Sequence, residues 1–271
     1  MTPVALADAA DEGAFGGKAA QLAAAIRAGL PVPGGMALPT TFVEAVTAGD
    51  STATAALAEV YGALGGALAV RSSAVGEDSG TASFAGQHLT RLNVRSPSGL
   101  IEAVRAVWDS ARSASALAYR RRLGLTGEPR MGVVVQELIL PDSAGVLFTR
   151  NPLDGADERV IEASWGLGEA VVAGLVTPDH YRVTRDGKVI ARVPGMKSIA
   201  IRPAPEGGTI EEGVAAERVR ALCLDDAQLE RLHALATRCE EVFGGIQDLE
   251  WALRGKTLYL LQRRAATRGA W

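Results

Sequence analysis

Residues 247–264 run QDLEWAL, Arg254-Gly255-Lys256, then TLYLLQRR, and no other stretch narrows the available folds as much. Strand side chains alternate between two faces. Leu249, Trp251 and Leu253 therefore point one way, and Asp248, Glu250 and Ala252 the other. In the second arm Leu258, Leu260, Gln262 and Arg264 share a face. A three-residue loop centred on Gly255 brings the even-numbered residues of both arms onto one surface. Two carboxylates, an amide oxygen and a guanidinium then converge, and a register one residue off separates them. Such a set suits a hard cation held against phosphates: Mg²⁺ takes a few carboxylate and carbonyl oxygens from protein and the rest from substrate and water. Arginine then orients a phosphoryl group by bidentate contact. Taken alone, the hairpin reads first as an ordinary solvated strand face, since charged strand faces are common.

The remaining sequence supports a folded enzyme-sized globule. With 271 residues, 48% of them hydrophobic and 22% charged, the chain has material for a two-lobed core. A net charge of −3 gives no bulk attraction to nucleic acid or to anionic membrane. Cys223 and Cys239 have no Cys or His neighbours at metal spacing, which fits reduced, half-buried fillers. Asp8 and Asp11 precede any basic residue, and no apolar run approaches ~18 residues. The expectation is a cytoplasmic protein without a signal peptide or membrane span.

Periodicity gives an α+β order. Helices are expected over 16–29, over 40–64 with Thr40 as N-cap, over 98–123 from Ser98, and over 211–243. The β-branched run MGVVVQELI reads as a buried central strand, and 89–94 as an edge strand. Further strands are expected within 145–152, 159–172 and 181–201, the last pair turning at Asp186-Gly187, and His180 is expected to end a turn.

Two glycine-rich segments carry candidate chemistry. VRSSAVGEDSGTASFAGQHLT places Arg71 at the end of an apolar strand, followed by backbone able to close over phosphates. GGK at 16–18 sets Lys18 after two glycines at a helix start, where acids are the usual preference. There is no G-x-x-x-x-G-K-[ST] element. WGLGEAV is a weaker glycine turn into a helix.

In order, GGKAAQL, VRSSA, ASFAGQ, VVVQELI, EASWGLGEAVVAGLV, MKSIAI, QDLEWAL and LLQRRA resemble the N-terminal ATP-binding domain of phosphoenolpyruvate synthase, pyruvate phosphate dikinase and rifampin phosphotransferase, from about Phe15 to Thr267. The resemblance implies an ATP-grasp-like α+β fold with nucleotide clamped between two lobes. Residues 1–130 would form the lobe with the phosphate lysine and glycine-rich loop, and 131–271 the lobe with the adenine strand and metal hairpin. It further implies that Lys18 and Arg71 contact the phosphates, that Gly86 and Thr90 lie at the covering loop, and that Gln136 sits on the adenine strand. The backbone of Glu137 and Leu138 would read adenine. Glu250 and Gln262 would ligate Mg²⁺ with Asp248 beside them, and Arg264 would sit on the transferring phosphates.

Three departures from the family pattern stand out: a short stretch between Lys18 and Arg71, Q-R-R-A in place of Q-S-R-P, and SASA at 113–116 where a polar D-R pair is usual. Relatives of this kind pass a phosphoryl group to a histidine in a T-[SC]-H-x-A context. His88, His180 and His233 lack that context. The expected function is therefore an ATP- and Mg²⁺-dependent phosphotransferase or kinase domain handing a phosphoryl or pyrophosphoryl group to a histidine on a separate protein or domain. The alternatives are direct phosphorylation of a small molecule and non-catalytic nucleotide binding, and no nucleic-acid or membrane partner is expected.

Overall fold

Apolar alternation and well-placed caps divide the chain into short, regular elements. The computed structural model describes residues 1–76, 89–122, 124 and 127–266. Two compact units emerge: Met1–Arg27, Pro33–Leu138 and Ala204–Gly208 form the first, and Ala28–Val32, Ile139–Pro203 and Thr209–Trp271 the second.

The first unit contains β1 (Val4–Ala5), α1 (Glu12–Phe15), α2 (Gly17–Arg27), β2 (Gly35–Leu38), α3 (Thr40–Thr47), α4 (Ser51–Leu64), β3 (Leu68–Ala74), β4 (Thr90–Val94), α5 (Pro97–Ser110), α6 (Ala114–Arg122) and β5 (Met131–Glu137). Its sheet runs β1-β2-β5-β3-β4, so the β-branched run is central and β4 is an edge, as expected. Leu68, Val70, Met131, Val133 and Val135 from one face pack with Val43, Leu57 and Val104 of α3, α4 and α5. This unit extends to Leu138, so β5, expected to open the second lobe at 131, is instead its middle strand.

Two expected helices are each broken. The span 40–64 divides at Asp50, whose side chain caps α4 by accepting from the Ala53 N–H at 2.8 Å. Pro39, not Thr40, occupies the N-cap of α3. The span 98–123 divides at Ser113, whose Oγ accepts from the Ala116 N–H at 3.2 Å, and α5 is capped by Ser96 with Pro97 in its first turn.

The second unit contains β6 (Ser143–Phe148), β7 (Glu158–Trp165), α7 (Glu169–Val172), β8 (Asp179–Thr184), β9 (Val189–Val193), β10 (Ile199–Pro203), β11 (Thr209–Gly213), α8 (Ala216–Val219), α9 (Asp226–Phe243), β12 (Gln247–Arg254) and β13 (Thr257–Ala265). Six antiparallel strands form the order β13-β12-β6-β7-β8-β9, and β10 and β11 pair separately. Residues 211–213, expected to be helical, thus end a hairpin. The long helix starts only at the Asp225–Gln228 capping box. Asp179 and Lys197 are fully buried and paired. The same carboxylate accepts from the Gly195 and Cys223 N–H groups, each at 2.8 Å. With Tyr181 Oη donating to it as well, at 3.4 Å, the buried carboxylate meets four donors and its charge is compensated.

Candidate functional site

In the first unit the lysine is placed by close approach of backbone to backbone. Gly16 ends α1 with φ of 84°, and Gly17 begins α2 at once, making Lys18 its second residue. A Cβ on Gly16 would lie 1.8 Å from the Ser73 carbonyl oxygen, and one on Gly132 2.3 Å from the Phe15 carbonyl oxygen. Only glycine fits at either, because the α1–α2 junction rests directly on β3 and β5. Ala69, Arg71 and Ser73 occupy the face of β3 opposite Leu68, Val70 and Ala74, which enter the core. The Ala19 N–H donates to Ser73 Oγ at 2.9 Å, which identifies that face as the one beneath α2.

Arg71 is directly opposite Thr90 of β4 and Val134 of β5. Thr90 therefore lies beside it on the same face. Lys18 and Arg71 are both buried, a concentration of positive charge suited to phosphate oxygens. Gly86, with Phe84 and His88, lies outside the described residues.

Gln136 is buried, and its Nε2 donates to the Pro33 carbonyl at 3.1 Å. Its side chain is thereby committed to holding the preceding loop. The Glu137 N–H donates to Gly34 O at 3.0 Å and the Leu138 N–H to Ala67 O at 2.9 Å. Any adenine contact made by this segment's backbone therefore falls to carbonyl oxygens, which would accept from an exocyclic amine.

The second unit brings together the four hairpin residues singled out from sequence. Glu250 is directly opposite Gln262, and Asp248 opposite Arg264. The route to this register differs from the expected one. The turn has two residues, Gly255 and Lys256, rather than three, and it pairs Arg254 with Thr257. Continued regularly, that pairing would set Glu250 opposite Leu261 and send Gln262 and Arg264 to the other face. A β-bulge at Leu261 supplies the missing residue and restores the convergence, while Leu258 and Leu260, expected on the same face as Gln262, instead lie opposite Leu253 and Trp251 on the other. Leu261 itself packs against Ile139, Ala144 and Ala252.

Arg264 Nε donates to Asp248 Oδ2 at 2.5 Å. Burial pushes the Asp248 carboxyl above its ordinary range, Glu250 adds to this, and the Arg264 guanidinium opposes it. Asp248 thus anchors Arg264, while Glu250 and Gln262 lie opposite one another across the strand pair. Among the described residues no three His, Cys, Asp or Glu side chains cluster as a metal site. A carboxylate opposite an amide oxygen fits a cation that takes most of its ligands from phosphate and water.

The face carrying these groups continues across the sheet. Register runs Gln262, Glu250, Val146, Glu162, His180 in one row and Arg264, Asp248, Phe148, Val160, Arg182 in the next. Glu250, Val146, Phe148, Glu162 and His180 are half-exposed. The opposite face is covered by α9, where Arg159 holds the His233 carbonyl and Thr237. Glu162 lies two strand spacings from Glu250, about 10 Å, and His180 one further. These two were not singled out as site residues, although Glu162 and Ser164, like His180 and Arg182, alternate visibly in the sequence. His180 belongs to strand β8 rather than ending a turn, and its Nδ1 is 3.9 Å from Glu162. His233 lies on α9 as expected, its imidazole held below the usual range by burial and by Arg159 and Arg185.

Residues 50–270 match the family described as the pyruvate phosphate dikinase AMP/ATP-binding domain. The chain belongs to this family. A rifampicin phosphotransferase of Streptomyces sviceus is 42% identical over 203 residues, 74% of this chain and 23% of that protein. A probable phosphoenolpyruvate synthase of Methanothermobacter thermautotrophicus is 40% identical over 202 residues, 74% of this chain and 29% of that protein. The chain thus spans about a quarter of the length of these curated relatives.

The pyruvate phosphate dikinase AMP/ATP-binding domain match begins after Lys18, whose place beside β3 comes from the geometry above. Two departures from the family pattern acquire structural accounts. Arg263 points away from the Gln262–Arg264 face, donates to Gln247 Oε1 at 2.7 Å and stacks 3.9 Å over Phe243, so it secures the hairpin to the end of α9. Ser113 of the SASA stretch caps α6. Among the described residues no helix is long and apolar enough to cross a membrane.

Proposed function

We propose that this domain binds ATP with Mg²⁺ and activates it for transfer of a phosphoryl or pyrophosphoryl group to a histidine on a separate partner protein or domain. The single observation that carries this reading is the bulge-corrected hairpin, which sets Glu250 opposite Gln262 and Asp248 opposite Arg264 on a half-exposed sheet face. Glu250 and Gln262 would hold the metal, whose chemistry there is neutralisation of phosphate charge. Arg264, oriented by Asp248, would contact the transferring phosphates. Arg71 and Thr90 share one face of the first unit's sheet, Lys18 begins the helix above it, and the three would contact the phosphate chain. The carbonyls of Glu137 and Leu138 would accept from the adenine amine. Catalysis of this type is mainly positioning and charge stabilisation, which these groups can supply without a nucleophile of their own.

The relatives' names, phosphotransferase and phosphoenolpyruvate synthase, support phosphoryl transfer as the reaction class. The test is incubation with Mg-ATP followed by phosphorus NMR, with and without a histidine-bearing partner domain from such a relative. Partner-dependent formation of AMP and a phosphohistidine signal is the expected result. ADP formed with a small-molecule acceptor alone would replace this reading with that of a simple kinase.

A further inference from the structure

The geometry points to Ser73 as a positioning residue for Lys18, acting as a cap supplied by the strand that also carries Arg71. This rests on the reading of Lys18 and Arg71 as phosphate contacts, and adds a residue that never touches the nucleotide.

A helix normally obtains its first acceptor from the residue just before it, whose side chain bonds the N–H at the third helical position. Helix α2 cannot do so, because the residue before Gly17 is Gly16, which has no side chain. Its third residue, Ala19, instead donates to Ser73 Oγ at 2.9 Å across 54 residues of sequence. Ser73 is completely buried, so its hydroxyl has given up water for this bond. The 1.8 Å approach of a Cβ at Gly16 to the Ser73 carbonyl shows that the same residue also forms the floor under the turn.

Lys18 sits between these two contacts, one residue before Ala19 and two after Gly16. Arg71 lies two residues before Ser73 on the same face of β3. Ser73 is therefore the common reference for both cations. Without its Oγ the first turn of α2 loses its acceptor, and Lys18 loses its fixed height above β3. The ammonium charge would remain but would be held less firmly opposite the phosphates.

The test is a binding cycle on the whole chain with Mg-ATP and adenosine as separate probes. Ser73→Ala is expected to weaken Mg-ATP binding by about tenfold, the scale of one lost cap, and to leave adenosine binding unchanged. In a Lys18→Met background the same substitution is expected to add nothing. Ser73→Cys, which nearly keeps the buried volume but replaces the hydroxyl with a weak acceptor, should weaken binding in the same direction and serves where Ser73→Ala fails to fold. Wild-type Mg-ATP affinity in these variants would overturn the proposal, as would equal loss of adenosine or a full additional loss in the Lys18→Met background. If Lys18→Met alone leaves Mg-ATP binding unchanged, the phosphate assignment of Lys18 itself fails, a distinct result.

Discussion

Asp248 and Glu250 are two residues apart on one strand face, yet the structure divides their work. Asp248 is the more buried and already bonds Arg264, whereas Glu250 faces Gln262. Replacing Asp248 with Asn should lower phosphoryl transfer by roughly tenfold or more through loss of a charge-assisted bond to Arg264. The Mg²⁺ concentration for half-maximal activity should stay unchanged. A large rise in that concentration would make Asp248 a metal ligand instead. Glu158 carries a second residue-scale prediction. Its carboxylate accepts from Arg182 Nε and Nη2, each at 2.8 Å, and from Asn151 Nδ2 at 2.6 Å. The Arg182 hydrogen bonds hold it below its ordinary value of 4.5 despite burial. A lowered folded-state value means a contribution present above pH 4.5 and lost as pH falls from there through the lowered folded-state value. Glu158→Gln should lower Tm at pH 7 by about 3–5 °C and flatten the Tm decline between pH 5 and 3. An unchanged acid slope would contradict this.

At the scale of elements, the bulge in β13 is what the sequence least betrays. Leu261 reads as one more apolar strand residue, and nothing in TLYLLQRR marks it as the extra one. The convergence of Asp248, Glu250, Gln262 and Arg264 was nonetheless legible, because period-two alternation within each arm survives on either side of the irregularity. The hairpin of β10 and β11 was not legible, since TIEEG is exposed throughout and offers no alternation of burial. The breaks at Asp50 and Ser113 depend on single capping side chains inside Ala-rich helical pattern, where propensity favours continuity. Ser73 and the Gly16 approach were beyond sequence reading, because they join residues distant along the chain. The bulge makes a two-sided prediction. Deleting Leu261 should leave a regular hairpin with Glu250 still opposite Gln262, and Mg-ATP affinity within about threefold of wild type. Inserting an alanine after Leu261 should break the Glu250–Gln262 pairing, sending Gln262 to the other face with the bulge kept or opposite Asp248 with it lost, and weaken affinity by at least about tenfold. Equal affinities in the two variants would remove the bulge from the account.

At the scale of the whole chain, stability and chemistry reside in separate features. The Lys197–Asp179 pair belongs to the interior of the second unit, on none of the rows that carry the metal ligands. Lys197→Met alone leaves a buried carboxylate uncompensated and should cost about 3–5 kcal/mol in denaturant unfolding. Pairing it with Asp179→Asn should recover part of that loss. The central claim, that Glu250 and Gln262 hold the metal of Mg-ATP, is tested most directly by calorimetric titration of ATP and adenosine, with and without Mg²⁺, into wild type and Glu250→Ala. Wild type should bind ATP more tightly when Mg²⁺ is present. Glu250→Ala should lose that enhancement while binding adenosine as before. Full retention of Mg²⁺-enhanced ATP binding by Glu250→Ala would contradict the assignment of the hairpin as the metal site.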